Sequence, residues 1–266
     1  MNNKNNKIWW NNNPMTYLDW NLKKSDRLVS QKINFRKLNE TYLKTNPYLI
    51  KKFKKIKNKN FLKNSITLDL GCGFGSSSVL LSNYSKKVYA IDISEKSVAG
   101  TKKNLKFFSK KKVVVKKLDA EKLDFKSNFF DYIYSWGVIH HSNNPHIIYQ
   151  NIYKTLKKGG KLFFMVYNKY SIRYYFLGLY YLFFKLKILR GYDLDTVQKF
   201  FTDGYYHKHY TSKELFNILK NLGFEKIKIE TDYMATRIFP GIKQNSKLDL
   251  YLKKKFGWFL IVNCEK

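Results

Sequence analysis

Thr67-Leu68-Asp69-Leu70-Gly71-Cys72-Gly73-Phe74-Gly75 is the stretch that decides the fold. An apolar run of strand length, Ile66–Leu70, leads straight into three alternating glycines, and a helix-compatible stretch begins near Ser76. Glycine tolerates positive φ and carries no Cβ, so the backbone can turn tightly and a ligand can approach it, while the start of the helix offers unpaired amides. The spacing is G-x-G-x-G, with an aspartate two residues ahead of the first glycine. Dinucleotide folds use G-x-G-x-x-G, and no Walker lysine follows here. At the end of the next strand stands Asp92, 23 residues after Asp69, where an acidic side chain can accept hydrogen bonds from both hydroxyls of a ribose. Asp119-Ala120-Glu121 then follows the third strand.

Outward from the glycines, short apolar runs alternate with helical stretches. Ile66–Leu70, Lys87–Ile91, Lys112–Val115, Asp131–Ser135 and Lys161–Tyr167 read as strands, and strands separated by helices imply βαβ units and a parallel sheet. Asn144-Pro145 supplies an N-cap and a first-turn proline ahead of Ile148, Ile152 and Leu156, with Gly159-Gly160 as the expected stop. Thr211-Ser212-Lys213-Glu214 is a capping box for a helix that turns Leu215, Leu219 and Leu222 inward and ends at Gly223. Phe224–Glu230 and Trp258–Asn263 complete seven strands, the last two joined by an expected loop. Residues 1–64, polar and lysine-rich, read as a helical N-terminal cap. Residues 65–266 read as the main domain, with an aromatic insert at 168–210.

The composition excludes several classes. The chain has 266 residues, and 51 Lys+Arg against 19 Asp+Glu leave a formal charge of +32. Disordered basic tails are poor in aromatics, whereas 18% of this chain is aromatic, so it has a core to bury. Two distant cysteines, Cys72 and Cys264, exclude a disulfide framework and a Cys-rich zinc site, and no metal is expected; a reducing compartment is the simplest fit. The charge would suit a polyanion. Yet only Arg27, Arg36, Arg173, Arg190 and Arg237 are arginine, the side chain that grips phosphate bidentately. Lys, Asn, Ile, Tyr and Phe share A/T-rich codons, so genomic bias accounts for much of the excess. Met1–Asn13 lacks the apolar core of a signal peptide, and a cytoplasmic location is expected. The longest apolar run, Tyr174 to Phe184, is 11 residues, short of the roughly 20 needed to span a bilayer.

Residues 66–167 resemble the class I S-adenosylmethionine-dependent methyltransferases, and more narrowly the ubiquinone/menaquinone-type, type 11-like branch acting on small molecules. Five segments in register carry the resemblance: Leu68–Gly75, Ala90-Ile91-Asp92-Ile93-Ser94, Leu118-Asp119-Ala120-Glu121, Phe130–His141 and Leu156–Leu162. It implies a doubly wound, Rossmann-like, mostly parallel seven-stranded sheet with the last strand antiparallel, and S-adenosylmethionine as cofactor. It also implies that the glycine loop, Asp69 with Gly71, Cys72, Gly73, Phe74 and Gly75, packs along the methionine part. Within that loop Cys72 reads as a small filler. By the same resemblance Asp92 holds the ribose, Ile93 lies against adenine, Asp119 meets the adenine amine beside Ala120 and Glu121, and Ser135-Trp136-Gly137 lines the pocket toward the methyl group.

A sulfonium is already an activated methyl donor, so such a protein must align the nucleophile, exclude water and, where required, remove a proton. His140 and His141, after the fourth strand, are the general-base candidates. Trp10, Tyr17, Tyr167, Asn168 and His207 are candidates for the acceptor pocket, because the N-terminal extension and the insert are expected to build it. A small-molecule acceptor, aromatic, lipophilic or a biosynthetic intermediate, is the favoured partner. An RNA- or protein-modifying methyltransferase is the alternative, although Ser135-Trp136-Gly137-Val138 lacks an Asn/Asp-Pro-Pro-aromatic clamp, no Pro-Cys nucleophile occurs and no RNA-binding module is appended. A non-catalytic cofactor-binding protein is a third reading. The aromatics and basic flanks of 172–190 suit either a helix buried against the N-terminal cap, a lid, or an interfacial helix making peripheral contact with the inner face of a membrane. Oligomeric state stays open, as does the methylated atom.

Overall fold

The alternation of strand and helix signals closes into one sheet. The structure, a computed structural model, describes residues 4–15, 34–46, 49, 61–109, 113–233, 241–243 and 246–266. Its frame is β1 (Ile66–Leu70), α3 (Ser76–Tyr84), β2 (Lys87–Asp92), α4 (Glu95–Phe108), β3 (Val113–Lys117), β4 (Phe130–Trp136), α5 (Pro145–Thr155) and β5 (Leu156–Asn168). It continues through α6 (Ile172–Leu179), β6 (His209–Tyr210), α7 (Ser212–Asn221), β7 (Glu225–Asp232), α8 (Lys247–Phe256) and β8 (Phe259–Glu265). Ahead of the sheet lie α1 (Lys4–Asn12) and α2 (Phe35–Thr45). The strand order is β3-β2-β1-β4-β5-β8-β7, parallel as far as β5, with β8 antiparallel to both β5 and β7. This is the doubly wound, mostly parallel sheet with an antiparallel final strand. The order reverses between β1 and β4, so a crevice opens beyond their C-terminal ends.

Alternate side chains of the central strands feed two cores. Ile133 on β4 and Leu162, Phe164 and Val166 on β5 join the cluster under α5 and α7. Tyr132, Tyr134 and Trp136, with Phe163, Met165 and Tyr167, enter the other cluster, which also takes Tyr42 of α2. Burial on both faces is why these strands read as nearly continuous apolar runs. In this second cluster the N-terminal helices meet the sheet. The Tyr42 hydroxyl lies 2.5 Å from that of Tyr134, and Asn11 Oδ1 accepts from Ser94 Oγ and from the Glu95 amide, each at 2.9 Å.

Four expectations are corrected. The strand count rises to eight among the described residues, because β6 pairs in parallel with β5 just past the point where β4 ends, Tyr167 opposite His209. The link between β7 and β8 contains a helix, α8. It hides Asp249, which Lys253 meets at 2.8 Å, while Leu248, Leu250 and Tyr251 point outward, a pattern inverse to that of a core helix. The helix before β5 stops at Thr155, and Gly159-Gly160 belongs to an irregular start of β5, where the Gly159 amide donates to the Lys266 carbonyl. Asn144 makes no side-chain cap; its amide nitrogen donates to Glu121 Oε2 instead. The capping box at Thr211 is present, its hydroxyl accepting from the Glu214 amide at 3.1 Å. Leu215 and Leu219 are buried, whereas Leu222 is only half-buried. Of the lysine-rich N-terminal segment, residues 16–33, 47, 48 and 50–60 lie outside the described residues.

These placements separate core from periphery energetically. Leu260→Ala, at a fully buried position of β8, should cost roughly 2–5 kcal/mol in urea unfolding, whereas Leu189→Ala, on the exposed insert, should stay within about 0.5 kcal/mol of the parent. Equal losses at the two positions would contradict the assigned core.

Candidate active site

The turn after β1 is held by its own backbone. Gly71 and Cys72 amides both donate to the Ile91 carbonyl, at 2.8 and 2.9 Å. The Gly73 amide donates to Asp92 Oδ2 at 2.9 Å, while Asp92 Oδ1 accepts from the Ser94 amide at 2.8 Å. One carboxylate thus ties the loop after β1 to the loop after β2. Gly71 sits at φ +79°, and a Cβ there would meet Val138 Cγ2 at 2.1 Å, whereas at Gly73 a Cβ would meet nothing closer than a carbonyl oxygen 4.0 Å away. Gly71 is therefore glycine for packing, and Gly73 for an open backbone wall. Cys72 is buried beside Thr101, and its thiol pKa is raised by burial. Asp69 lies beneath the loop, receiving Ser77 Oγ at 2.7 Å and Ser78 Oγ at 2.5 Å on Oδ2. Its Oδ1 is buried without a hydrogen-bond partner among the described residues.

A single cavity runs along this loop. On one side it is lined by Gly71, Cys72, Gly73, Phe74, Asp92, Ile93, Asp119 and Ala120. On the other side stand Trp10, Tyr42, Trp136, His141, Met165, Tyr167, Tyr233 and Phe259. Burial in this wall pushes the Asp92 pKa up to about 6, against the pull of its two amide donors, and burial likewise lifts Asp69 to about 6. Asp119 caps a short helical turn, its Oδ1 accepting from the Glu121 amide at 2.9 Å. Among the described residues no lysine or arginine lines the cavity, although the chain carries a net +32.

The two histidines have different surroundings. His140 is fully buried, outside the cavity lining, packed on Tyr167 with ring centroids 3.9 Å apart, and neither ring nitrogen has a hydrogen-bond partner among the described residues. His141, 5% exposed, lines the cavity beside Trp10, with ring centroids 4.9 Å apart. Its Nδ1 lies 2.9 Å from the Tyr206 carbonyl, which can only accept, so Nδ1 carries the proton and Nε2 keeps the lone pair. Burial pushes the His141 pKa down to about 4, so the ring is neutral at physiological pH.

The cavity's position at the sheet's switch point and the glycine–Asp92 lock define the site, and the comparisons identify the domain type. Residues 68–164 match the family model described as "Methyltransferase domain". This segment is a class I S-adenosylmethionine-dependent methyltransferase domain. Among curated relatives of the methyltransferase domain, the ubiquinone biosynthesis O-methyltransferase of Pelagibacter ubique is 33% identical over 143 residues, 54% of this chain and 58% of that protein. Phosphoethanolamine N-methyltransferase 2 of Caenorhabditis elegans is 30% identical over 111 residues, 41% of this chain and 25% of that protein. The chain thus spans a quarter and somewhat over half of the lengths of these two relatives. The magnesium protoporphyrin IX methyltransferase of Synechocystis PCC 6803 shares the fold, with TM-score 0.56 and 19% identity over 89% of each chain.

Several residues singled out in the sequence meet at the cavity of the methyltransferase domain, and others do not. Gly71, Cys72, Gly73, Phe74, Asp92, Ile93, Asp119, Ala120, Trp136, Trp10, His141 and Tyr167 line it. Gly75, at φ +86°, packs on Thr101 instead. Ser135 is buried outside the lining, with its hydroxyl lacking a hydrogen bond among the described residues. Glu121 is turned away, its carboxylate taken by Ser142 Oγ at 2.5 Å and Asn144 Nδ2 at 3.2 Å. Asn168 braces the chain, donating to the Gly257 carbonyl and accepting from the Tyr170 amide. His207 stands off the cavity, edge-on to His209. Tyr17 lies outside the described residues. The sequence reading missed Tyr42, Asn46, Met165, Tyr233 and Phe259, all in the lining. The four-residue spacing of Leu38, Tyr42 and Asn46 on α2 was the available signal for the first two.

Asp69 gives the apo protein a definite pH dependence. Its carboxyl stays protonated to about 6 in the folded chain and to an ordinary 3.8 in the unfolded one, so stability falls as pH rises from about 4 to about 6. The arithmetic, about 2.2 units at 1.36 kcal/mol each, gives roughly 3 kcal/mol. Asp92, lifted to the same value, adds a comparable fall, so Asp69→Asn should remove about half of the fall in urea midpoints measured across this range; a parallel parent and variant would refute the assignment.

Proposed function

We propose that the chain transfers a methyl group from S-adenosylmethionine to a neutral, flat, aromatic or lipophilic small molecule bearing a hydroxyl. The observation that carries this reading is the two-sided cavity: an acidic, glycine-walled side and an aromatic side free of cationic side chains among the described residues. A phosphorylated acceptor would find no lysine or arginine there, whereas a flat ring would find Trp10, Tyr42, Trp136 and Tyr167. The relative named as an O-methyltransferase agrees with this choice. In domain terms, the described part of residues 1–64 lends Trp10 and Tyr42 to the acceptor side, the insert 168–210 stands behind it through the Tyr206 carbonyl on His141 and lines none of it among the described residues, and 65–266 carries the methyltransferase domain.

The cofactor side fits its ligand on two counts: the bare backbone at Gly73 and the half-buried Asp92 carboxylate, both in the cavity lining. Asp92 would accept the ribose hydroxyls, Ile93, Asp119 and Ala120 would border the adenine, and the glycine loop, supported from beneath by Asp69 outside the lining, would lie along the methionine portion. When bound, the cofactor supplies a sulfonium-activated methyl group. The protein's own task is alignment. Trp136 is fixed by stacking on Tyr134 and Phe163, with ring centroids 6.2 and 6.0 Å away, so the wall toward the methyl group is rigid. His141 Nε2 would take the hydroxyl proton. A base of such low pKa suffices, because an oxygen becomes strongly acidic as it gains a methyl group.

Calorimetry should show S-adenosylmethionine binding that Asp92→Ala weakens by roughly 10–100-fold, in keeping with the loss of charged hydrogen bonds. Affinity for the parent should rise as pH passes upward through about 6, where the carboxylate becomes an acceptor for both hydroxyls. His141→Gln should leave cofactor affinity unchanged while slowing single-turnover methylation of a phenolic acceptor by roughly 10²-fold or more. Labelled-methyl transfer to phosphoethanolamine but to no neutral phenol would overturn the acceptor class.

A further inference from the structure

The insert after β5 carries an apolar face that the described residues leave uncovered. Helix α6 and the wide turn that continues it, Tyr180–Phe184, turn Tyr174, Gly178 and Leu182 inward at four-residue spacing. The opposite face repeats at the same spacing with Phe176, Tyr180 and Phe184, and with Leu179 and Phe183, all exposed. A helix apolar on both faces is ordinarily buried on both. Beyond it the chain reverses at Leu186 (φ +50°) and Gly191 (φ +73°), so that Phe184 and Leu189, 81% and 78% exposed, stand at the crest. Such a contiguous exposed patch marks a binding surface.

The rim of the patch says what covers it. Lys185, Lys187 and Arg190 alternate with the exposed apolar residues of this segment, and Lys199 follows on the next turn of chain. Lys185 lies over Tyr180, and Lys187 and Lys199 over Phe200, so the cations sit on the apolar surface itself. Two acids stand nearby, both exposed and both bonded locally, Asp195 to Tyr174 and Lys169 and Asp193 to Thr196, so they offset only part of the four cations. Tyr180, Tyr181 and Tyr192 supply amphipathic rings of the kind found at headgroup depth. Among the described residues no helix is long and apolar enough to cross a membrane, so the geometry is that of lying on one. We infer that residues 176–190 dock this protein on the surface of an anionic lipid bilayer, with Phe183, Phe184 and Leu189 entering the headgroup region and the surrounding cations meeting lipid phosphates. Arg173 anchors the base of the device, donating to the Phe201 carbonyl and lying over Trp258 at 5.0 Å, so the face is presented rigidly. The net charge of +32 draws the chain toward such a surface before contact. The inference does not depend on the acceptor proposed above.

Flotation with vesicles of phosphatidylcholine alone, and mixed with phosphatidylglycerol, tests it on the full chain. The parent should float with the mixed vesicles and not with the neutral ones. Phe183→Ser/Phe184→Ser/Leu189→Ser and Lys185→Glu/Lys187→Glu/Arg190→Glu should each lower the bound fraction by roughly tenfold or more, with melting temperature and S-adenosylmethionine affinity unchanged. Should the triple serine variant fold poorly, Phe184→Trp alone should show a blue-shifted emission when anionic vesicles are added. Three results would overturn the inference: full vesicle binding by the serine variant, which would make the attraction a general polycation effect; binding to bulk tRNA but not to vesicles; or a dimer of the parent that the serine substitutions dissolve in the absence of any vesicle binding.

Discussion

The Asp92 carboxylate receives amides from two different loops, Gly73 on one oxygen and Ser94 on the other, and the geometry of the cavity follows from that double attachment. A charged acceptor with two backbone donors is worth more than a neutral hydrogen bond, on the order of 1.5–3 kcal/mol each. That energy holds the ends of β1 and β2 at a fixed separation. It works against burial, which raises the pKa of the same group, so the lock is strongest when the acid is ionised. With the Gly71 and Cys72 amides committed to Ile91, the turn spends its donors internally and faces the cavity with bare backbone at Gly73.

The roof over that turn comes from sequence far away. Asn11 binds the start of α4, Tyr42 meets Tyr134 in the sheet, Asn39 bonds Asn104, and Asn6 donates to the His141 carbonyl at 2.6 Å. The N-terminal helices are thus fastened by uncharged polar contacts, although the segment is rich in lysine. Among its described lysines, Lys4, Lys7, Lys37 and Lys44 are exposed, and the described cavity walls contain none. An aromatic and weakly acidic interior inside a strongly basic protein is a local arrangement that bulk composition does not reveal.

Much of the frame was legible in the sequence because its signals are local. Strand-length apolar runs, the glycine spacing and the Thr211 capping box each depend on neighbours in the chain, and they yielded the sheet, the switch point and the Asp92 position. The misreadings were non-local. Helix α8 was hidden because it turns an aspartate inward and leucines outward. The two-residue β6 exists only because β4 ends before β5 does. His140 and His141 are neighbours that the sequence could not separate; their difference lies in a carbonyl from residue 206 and in which ring reaches the cavity. Glu121 looked like part of the adenine rim, but Ser142 and Asn144 claim it across more than 20 positions of chain.

Tyr206, whose carbonyl fixes the proton on His141, and Gly204, whose missing Cβ leaves room for that imidazole, lie on the stretch that returns from the aromatic crest to β6. Lys208 ties the same stretch to the His140 carbonyl at 2.8 Å. One covalent segment therefore shapes both the outermost surface of the protein and the tautomer of a ring inside it. In a lineage of such domains, the two traits travel together: an exchange of this insert replaces the outer face and the inner proton address in a single event.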